Sequence, residues 1–422
     1  MRLLFFNRSF HPDVEATGQL LSELCQDLSR DHEVTVVAGR GYNMERFGSR
    51  LPVRRERWDR IEILRAYNPR LNKRSFPARV LNLLSYFCFS FLAGFQAKRP
   101  DVVIVETDPP VLGLVALFFA RLYGCKFVFY LQDLYPDVGI ALGKLKNPLL
   151  IRLLESSTQC ILNNADRVVV LGDDMRRRVL AKGYQQADRI HVIPNWVDTT
   201  QIRPHTGVNS FRQQHHLDGC FVIMFSGNLG LSQRLENVVQ VASEFADNDK
   251  VRFVFIGEGA AKAGLMEQAR AQHLANVLLL PYQPKESLSI SLGAADVHLV
   301  PLQKGVSGLI VPSKVYGILA AGRPLIAAIE EDSHPSQIIR EHRCGLRVDP
   351  DSPAELKKAI DWAIGHPAEL QEMGRRGREA VVEHFDRRTS VAAFQTMIEA
   401  LRAPSYELAI ENRRDAANQI AY

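Results

Sequence analysis

The sequence predicts an α/β protein in which two domains, each built on a doubly wound parallel sheet, face each other across a central cleft. The chain has 422 residues, more than one hydrophobic core commonly supports. Short, continuous apolar runs alternate with helical stretches, as expected of strands that helices cover on both faces. This alternation breaks off at 194–198 and resumes at Phe221, which indicates a second domain. Ligands bind beyond the carboxyl ends of the strands in such sheets, so the cleft is the expected site.

The apolar runs also set the domain boundaries. We assign residues 1–200 to the first domain and 201–385 to the second, and we expect helices within 386–422 to cross back to the first domain. The predicted strands are Leu3–Phe6, Glu33–Val37, Val102–Glu106, Phe127–Leu131, Arg167–Leu171 and His191–Ile193, then Phe221–Phe225, Arg252–Ile256, Val277–Leu280, Val297–Val300 and Leu325–Ala328.

The cysteines and the N-terminus bear on the compartment. Six cysteines are scattered without metal-like spacing, and most have apolar neighbours, so we expect small core residues in a reducing compartment. The apolar run Leu3–Phe6 is too short for the core of a signal peptide and is instead the first predicted strand. We therefore expect a cytoplasmic protein.

Positive charge is concentrated in the first domain. Residues 40–80 contain 12 Lys and Arg against 4 Asp and Glu, whereas the whole chain has a net charge of only +5. Such a block suits anionic lipid or nucleic acid, or it is a plain solvated surface. The apolar segment Leu81–Ala97 follows it and favours a peripheral contact with the inner membrane face, with no nucleic-acid partner. For the segment itself we favour core packing over insertion at the membrane surface, and it is too short and too diluted by polar residues to span a bilayer.

Two glycine-containing loops of the second domain follow predicted strands. The first, Phe225–Gly230, leads into a helix with Arg234 near its start, where a phosphate would be bound. A plain strand-to-helix turn is the alternative. The second loop, 255–262, includes Gly257 and Glu258 but lacks the third glycine of a dinucleotide fingerprint, so no NAD site is predicted.

A third loop, Gly305–Lys314, carries the strongest functional signal. Gly305 and Gly308 make it pliable, Ser313 is a suitable N-cap for the helix that follows, and Lys314 adds a full positive charge. A diphosphate leaving group needs this arrangement, because negative charge develops on it as the bond to it breaks.

Several segments together resemble the GT-B glycosyltransferases of family 4. The resemblance rests on six segments: SGLIVPSKVYGILAAGRPLIAA, FSGNLG, GEGAAKAGL, VIPNWVD, FHPDVEATGQLLSEL and LQDLYPD. The branch they resemble comprises the fucosamine and fucose transferases of O-antigen and colanic acid synthesis. The resemblance implies two Rossmann-like domains that move a deoxyhexose or an N-acetylated hexosamine from a nucleotide-diphosphate sugar to a glycan or polyprenyl-diphosphate-linked acceptor, with retention. We expect no metal ion and no other cofactor.

The resemblance also implies roles for single residues. Gly18 belongs to the first-domain loop that approaches the donor phosphate and the acceptor. Gln132 and Asp133 stand where the family has a catalytic His followed by Asp. Asp133 and Asp137 are the candidates for acid–base or acceptor-orienting roles, with capping of the turn around Pro136 as the alternative. The donor-binding set, whose last member is also a catalytic candidate, comprises Gly227, Asn228, Arg234, Gly257, Glu258, Tyr282, Gln283, Ser307, Gly308, Ser313 and Lys314.

The sequence departs from the family at three positions. The family's paired glutamates correspond to Leu309 and Gly317, and Asn228 replaces the usual phosphate-binding Arg. Two further functions therefore stay open: a non-catalytic subunit that binds a nucleotide sugar in a polysaccharide assembly complex, and a sugar-nucleotide epimerase on the same fold.

Overall fold

The computed structural model describes residues 1–13, 15–40, 51–69, 71 and 76–402, apart from the side chains of residues 76, 77 and 79. The first domain is an eight-stranded sheet in the order β3-β4-β2-β1-β5-β6-β7-β8. Its strands are β1 (Arg2–Phe6), β2 (Glu33–Gly39), β3 (Val53–Trp58), β4 (Ile61–Ala66), β5 (Val102–Glu106), β6 (Lys126–Tyr130), β7 (Arg167–Val170) and β8 (Ile190–Val192). Its helices are α1 (Ala16–Leu28), α2 (Phe76–Gly94), α3 (Leu112–Tyr123), α4 (Asp137–Ala141), α5 (Pro148–Asn164) and α6 (Asp173–Ala181).

The second domain is a six-stranded parallel sheet in the order β11-β10-β9-β12-β13-β14. Its strands are β9 (Phe221–Ser226), β10 (Val251–Ile256), β11 (Val277–Leu280), β12 (Val297–Leu299), β13 (Leu325–Ala328) and β14 (Gly345–Val348). The helices are α7 (Ser210–Gln214), α8 (Leu235–Ser243), α9 (Lys262–Ala271), α10 (Leu288–Gly293), α11 (Lys314–Ala320), α12 (His334–His342), α13 (Pro353–Gly365) and α14 (Pro367–His384), and a last helix, α15 (Arg387–Glu399), follows this domain in the chain. The prediction of two doubly wound parallel sheets is confirmed.

Part of the basic block forms an antiparallel hairpin at the edge of the first sheet. β3 pairs antiparallel with β4, the one antiparallel pair among the described strands. Arg65 is buried here, because its guanidinium donates to the Glu56 carboxylate at 3.1 Å and to the carbonyls of Gly39 and His11. Both interpretations of the basic block, a surface for lipid or nucleic acid and a solvated surface, are therefore wrong for this arginine.

The chain crosses between the domains twice at one place. The N–H of Val197 donates to the carbonyl of Phe385 at 3.1 Å, and the N–H of Arg387 donates back to the carbonyl of Val197 at 3.0 Å. Beyond this point α15 lies on the first domain, where Phe394 and Ile398 are buried in its core. The Arg387 guanidinium pairs with Asp27 of α1 at 2.7 Å.

The cysteine prediction holds for two residues only. All six thiols are free, and Cys25 and Cys344 are buried, whereas Cys88 and Cys160 are exposed on α2 and α5. An apolar neighbourhood in sequence does not bury a residue that faces outward from its helix. Within the described part of the chain, no helix is long and apolar enough to pass through a bilayer.

Candidate functional site

A cation without a partner lies at the carboxyl end of the second sheet. The Nζ of Lys314, at the start of α11, is buried and makes no hydrogen bond, and it lies 3.5 Å from the centroid of the Phe225 ring. Burial lowers the pKa of this ammonium to about 7. A buried charge without a counter-ion costs free energy, so this position favours an anionic ligand.

The glycine of the first loop leaves room for that cation. Gly227 has φ 142°, and a Cβ built on it would lie 3.2 Å from Cε and 3.4 Å from Nζ of Lys314. The N–H of Gly227 donates to the carbonyl of Ile256 at 2.9 Å, so the glycine serves here to let the Lys314 side chain lie against the backbone. Ser313 holds the N-cap position of α11, but its side chain makes no capping hydrogen bond. The prediction of Ser313 as a side-chain N-cap is wrong, because the residue has helical backbone angles, φ −59° and ψ −19°.

The second glycine loop packs on the first. Gly257 has φ 145°, and a Cβ on it would collide with the carbonyl oxygen of Gly227. Leu229 and Glu258 join the loops, since the N–H of Leu229 donates to the carbonyl of Glu258 at 2.9 Å. Close packing of the two loops therefore explains the glycine at position 257, independently of any role that Gly257 has in donor binding.

Four of the other predicted donor residues lie along these loops. The Tyr282 hydroxyl approaches the carbonyl of Glu258 at 3.5 Å, and the Gln283 amide donates to the carbonyl of Pro281 at 3.0 Å. The Glu258 carboxylate pairs with Lys262 at 2.6 Å and is therefore engaged. Asn228 is exposed beside Gly230 and Gly259.

Arg234 begins α8 as an exposed residue with a left-handed backbone, φ 45°. It lines a small cavity with Pro301, Asp349 and other residues. Among the described residues, no hydrogen bond joins it to Lys314.

The loop after Gly305 joins the two domains. The N–H of Leu134 donates to the carbonyl of Leu309 at 2.8 Å, and the Arg178 guanidinium donates to the carbonyl of Ser307 at 3.2 Å. A Cβ on Gly308, where φ is 72°, would lie 2.8 Å from the carbonyl oxygen of Asp174. Ser307 and Gly308 thus lie in the contact between the domains. Leu309, at the position of a family glutamate, is buried in the first-domain core.

A carboxylate that the sequence analysis missed supports this loop. Glu330 follows β13 and accepts the N–H groups of Gly305 at 2.9 Å and Ser307 at 3.3 Å. The position of Glu330 just beyond the end of a predicted strand was the sequence signal that could have identified it. The second family glutamate has no counterpart at Gly317, where a Cβ would meet only the apolar side chains of Leu292 and Ile202.

In the first domain, Gln132 belongs to a buried polar chain. Its amide nitrogen donates to Glu106 Oε1 at 3.1 Å, and its amide oxygen accepts from Asn195 at 3.4 Å. Both the nitrogen and the oxygen of the amide are hydrogen-bonded within the protein. Such an arrangement suits Gln132 to positioning its neighbour Asp133. Burial raises the pKa of Glu106 well above its ordinary value, against the hydrogen bond from Gln132, which lowers it.

Replacing Glu106 tests this burial. Because its pKa is raised in the folded protein, the Glu106 carboxyl group keeps a proton that it releases above pH about 4.3 in the unfolded chain. The stability of the wild type therefore falls as the pH rises from about 4.3 toward the folded-state pKa. We expect Glu106→Gln to remove that loss, which has a limiting slope of about 1.4 kcal/mol per pH unit. Urea unfolding between pH 5 and pH 8, as rough limits, measures it. Parallel stability curves for variant and wild type would contradict the assignment.

Asp133 presents the clearest acid–base group. Burial, then the charge of Asp108, raises the pKa of its carboxyl to about 7. Its N–H donates to the Thr107 hydroxyl at 3.1 Å, and its backbone bridges to Ile310 of the second domain. Within the described residues its carboxylate has no hydrogen bond or ion pair. No hydrogen bond joins Asp133 to Lys314 among the described residues.

The remaining first-domain candidates, Gly18 and Asp137, make contacts within the domain. Gly18 lies in the first turn of α1, where a Cβ would approach Ser9 to 3.1 Å and Phe10 to 3.2 Å. Asp137 begins α4 and pairs with Lys182 of α6 at 2.8 Å, so its carboxylate is neutralised. Among the residues that the structure describes, no three His, Cys, Asp or Glu side chains converge to hold a metal ion.

Two family models match the chain in tandem: "Glycosyl transferase 4-like domain" over residues 16–196 and "Glycosyl transferases group 1" over 208–380. The probable glycosyltransferase WbjE of Pseudomonas aeruginosa is 30% identical over 340 residues, 80% of this chain and 84% of the relative. The putative colanic acid biosynthesis glycosyl transferase WcaI of Escherichia coli is 26% identical over 379 residues, 86% and 92% of the two chains. The solved sucrose-phosphate synthase of Thermosynechococcus elongatus has a TM-score of 0.77 at 16% identity, over 96% and 100% of the two chains.

Two Rossmann-like domains, with a buried unpaired lysine at the strand ends of the second, define a glycosyltransferase of the GT-B fold. The first family model matches the first domain, and the second model matches the second domain. The chain belongs to the family 4-like glycosyltransferases, and the resemblance stated from its motifs is confirmed.

Proposed function

We propose that this glycosyltransferase moves a sugar from a nucleoside-diphosphate sugar to a glycan or polyprenyl-diphosphate-linked acceptor during cell-surface polysaccharide synthesis. The observation that carries the proposal is the buried Nζ of Lys314, which has no hydrogen-bonding partner among the described residues and lies against Gly227. The printed name of WcaI, a colanic acid biosynthesis enzyme, supports the polysaccharide context.

In this proposal the two domains divide the reaction. Lys314 neutralises the charge that grows on the diphosphate as the glycosidic bond breaks, so that a metal ion is not needed there. Asp133 receives the proton of the acceptor hydroxyl, a task that suits a carboxyl group whose pKa is about 7. The sugar is a deoxyhexose or an N-acetylated hexosamine, and its configuration is retained. The reaction takes place in the cytoplasm, on an acceptor held at the inner membrane face.

A second function is favoured by one observation. Leu309 and Gly317, at the positions of the two family glutamates, have no carboxylate. This absence suits a non-catalytic subunit that binds a nucleotide sugar. The two functions differ in one measurable outcome. An enzyme releases free nucleoside diphosphate when the acceptor is added, whereas a binding subunit does not. No feature of the described residues favours the epimerase.

Thermal unfolding with UDP, GDP, dTDP and ADP, in the presence of EDTA, tests the proposal. We expect one diphosphate at 100-fold above its Kd to raise the unfolding temperature by about 5 °C, because such binding stabilises by about 2.7 kcal/mol. The matching nucleoside monophosphate is the control and should give a smaller shift, since it lacks the second phosphate. No shift with any diphosphate, or a shift that needs Mg²⁺, would contradict the proposal.

A further inference from the structure

Helix α2 exposes a continuous apolar stripe along its outer side. Leu81, Leu84, Cys88 and Leu92 follow one another at intervals of three and four residues, and all four are exposed. Phe95 continues the stripe just beyond the helix end. The opposite side of α2 packs on the sheet, where the buried Tyr86 hydroxyl donates to the carbonyl of Val37 at 3.0 Å. The stripe is therefore the side of α2 that the domain leaves uncovered.

Helix α3 extends this surface. The Phe118 ring lies 5.3 Å from Phe91 of α2 and 6.1 Å from Phe95. Phe118 and Leu122 are 42% and 51% exposed, so the two helices share one outer surface. We call this surface the apolar face, which comprises Leu81, Leu84, Cys88, Leu92, Phe95, Phe118 and Leu122. Scattered single apolar residues are common on protein surfaces, but a contiguous set across two helices indicates an interaction site.

The segments that form the apolar face contain basic but no acidic residues, although Glu33 and Asp166 lie close enough to pair with Lys98 and Lys126. Residues 76–100 and 109–132 contain no Asp or Glu, although they include five Lys and Arg. The exposed Arg99 and Arg121 donate only to neutral groups, the carbonyl of Tyr123 and the amide oxygen of Asn164. These two guanidinium groups keep their charge at the edge of the face.

Helix α5 begins with the same combination of side chains. Leu149 and Leu153 are 74% and 64% exposed, with Arg152 between them and Lys144 and Lys146 just before. The three helices cover the same side of the sheet. Their packing is close, because a Cβ on Gly113 of α3 would lie 2.7 Å from Ile161 of α5.

We propose that the apolar face and the start of α5 together dock on an anionic lipid bilayer. A helix with an apolar side flanked by Lys and Arg lies in the plane of such a bilayer, with the apolar side chains in the acyl region and the cations at the headgroups. A second copy of the chain fits less well. A two-fold contact through this surface would bring Arg99 and Arg121 against like charges.

This docking would place the catalytic cleft beside the membrane. α5 follows the carboxyl end of β6, and α2 follows that of β4. Both helices therefore begin on the side of the sheet where the strands end, which is also where Asp133 lies. A lipid-linked acceptor could then reach Asp133 without leaving the bilayer. This consequence rests on the proposed function, whereas the docking itself does not.

Co-sedimentation with phospholipid vesicles tests the docking. We expect the full chain to sediment with phosphatidylglycerol–phosphatidylcholine vesicles, to bind phosphatidylcholine alone more weakly, and to lose affinity as salt is raised. Leu84→Glu/Leu92→Glu should lower the partition coefficient about 100-fold, roughly tenfold for each apolar side chain withdrawn. The matched control is Val208→Glu/Val382→Glu, which changes two exposed apolar residues of the second domain and should bind like the wild type.

Four further readouts accompany the sedimentation test. Circular dichroism should show that both double variants are folded, and the nucleotide-induced thermal shift should be unchanged, which separates this proposal from the donor site. A polarity-sensitive dye on Cys88 of Cys160→Ser should shift to the blue with anionic vesicles, whereas a dye on Val208→Cys in a Cys88→Ser/Cys160→Ser background should not. Equal vesicle binding by wild type and Leu84→Glu/Leu92→Glu overturns the proposal. So does a wild-type dimer that the same two substitutions dissociate in equilibrium sedimentation.

Discussion

Lys314→Met is expected to lower sugar transfer by 100- to 1,000-fold at saturating donor, with the fold intact. The substitution keeps an unbranched side chain but removes the charge that meets the leaving diphosphate, a loss of about 3–4 kcal/mol of transition-state stabilisation. Turnover measured as release of nucleoside diphosphate checks it. Lys357→Met is a matched control, because this lysine also lies over a phenylalanine ring, 5.1 Å from the Phe245 centroid, but is half-buried on α13 and paired with Asp361 at 2.7 Å. Its turnover should stay within about twofold of the wild type.

The same substitution should raise the stability of the free protein. The folded-state pKa of Lys314 is lowered to about 7 from an ordinary value near 10.4, so the fold opposes protonation of this amine. That cost is complete below pH about 7 and disappears as pH rises through about 10.4. Lys314→Met should therefore be more stable than wild type by about 2–4 kcal/mol at pH about 6, and equally stable at high pH. A variant that is less stable at every pH would show that Lys314 is a packing residue.

Asp133→Asn is the second substitution with a large expected effect. We expect kcat to fall by about 100- to 10,000-fold, because the amide cannot take a proton from the acceptor hydroxyl. KM for the donor should change little, since no hydrogen bond joins Asp133 to Lys314 among the described residues. In the wild type, kcat should rise with pH through about 7 as Asp133 ionises, and the variant should lack this rise.

Asp137→Asn separates the two acidic candidates. Asp137 is paired with Lys182, so its loss should lower stability by about 1 kcal/mol or less and leave the pH dependence of kcat in place. If Asp137→Asn abolishes the rise near pH 7 and Asp133→Asn does not, the roles are reversed.

The sequence was sufficient for features that depend on local pattern. Apolar runs identified the central strands, and glycines followed by Lys314 identified the loop that holds the unpaired cation. The hairpin of β3 and β4 was missed because the arginines of β3 obscure its alternation, and Arg65 of β4 is buried only through partners elsewhere in the sequence, at Glu56, Gly39 and His11.

Roles that depend on long-range contacts were beyond the sequence. The engagement of Gln132 needs Glu106 and Asn195, which lie 26 and 63 residues away. The place of Ser307 between the domains depends on Arg178, 129 residues earlier. Spacing in the sequence contains no information on which of several candidate polar groups finds a partner in the fold.

The return of α15 to the first domain has a consequence for synthesis of the chain. Phe394 and Ile398 complete a core whose first strand is Arg2–Phe6, so this domain is assembled from both ends of the described chain. N-terminal domains commonly fold while the ribosome is still translating the rest. Here the N-terminal domain lacks its last helix until nearly all of the chain has been translated, so the domain that begins first is expected to finish last.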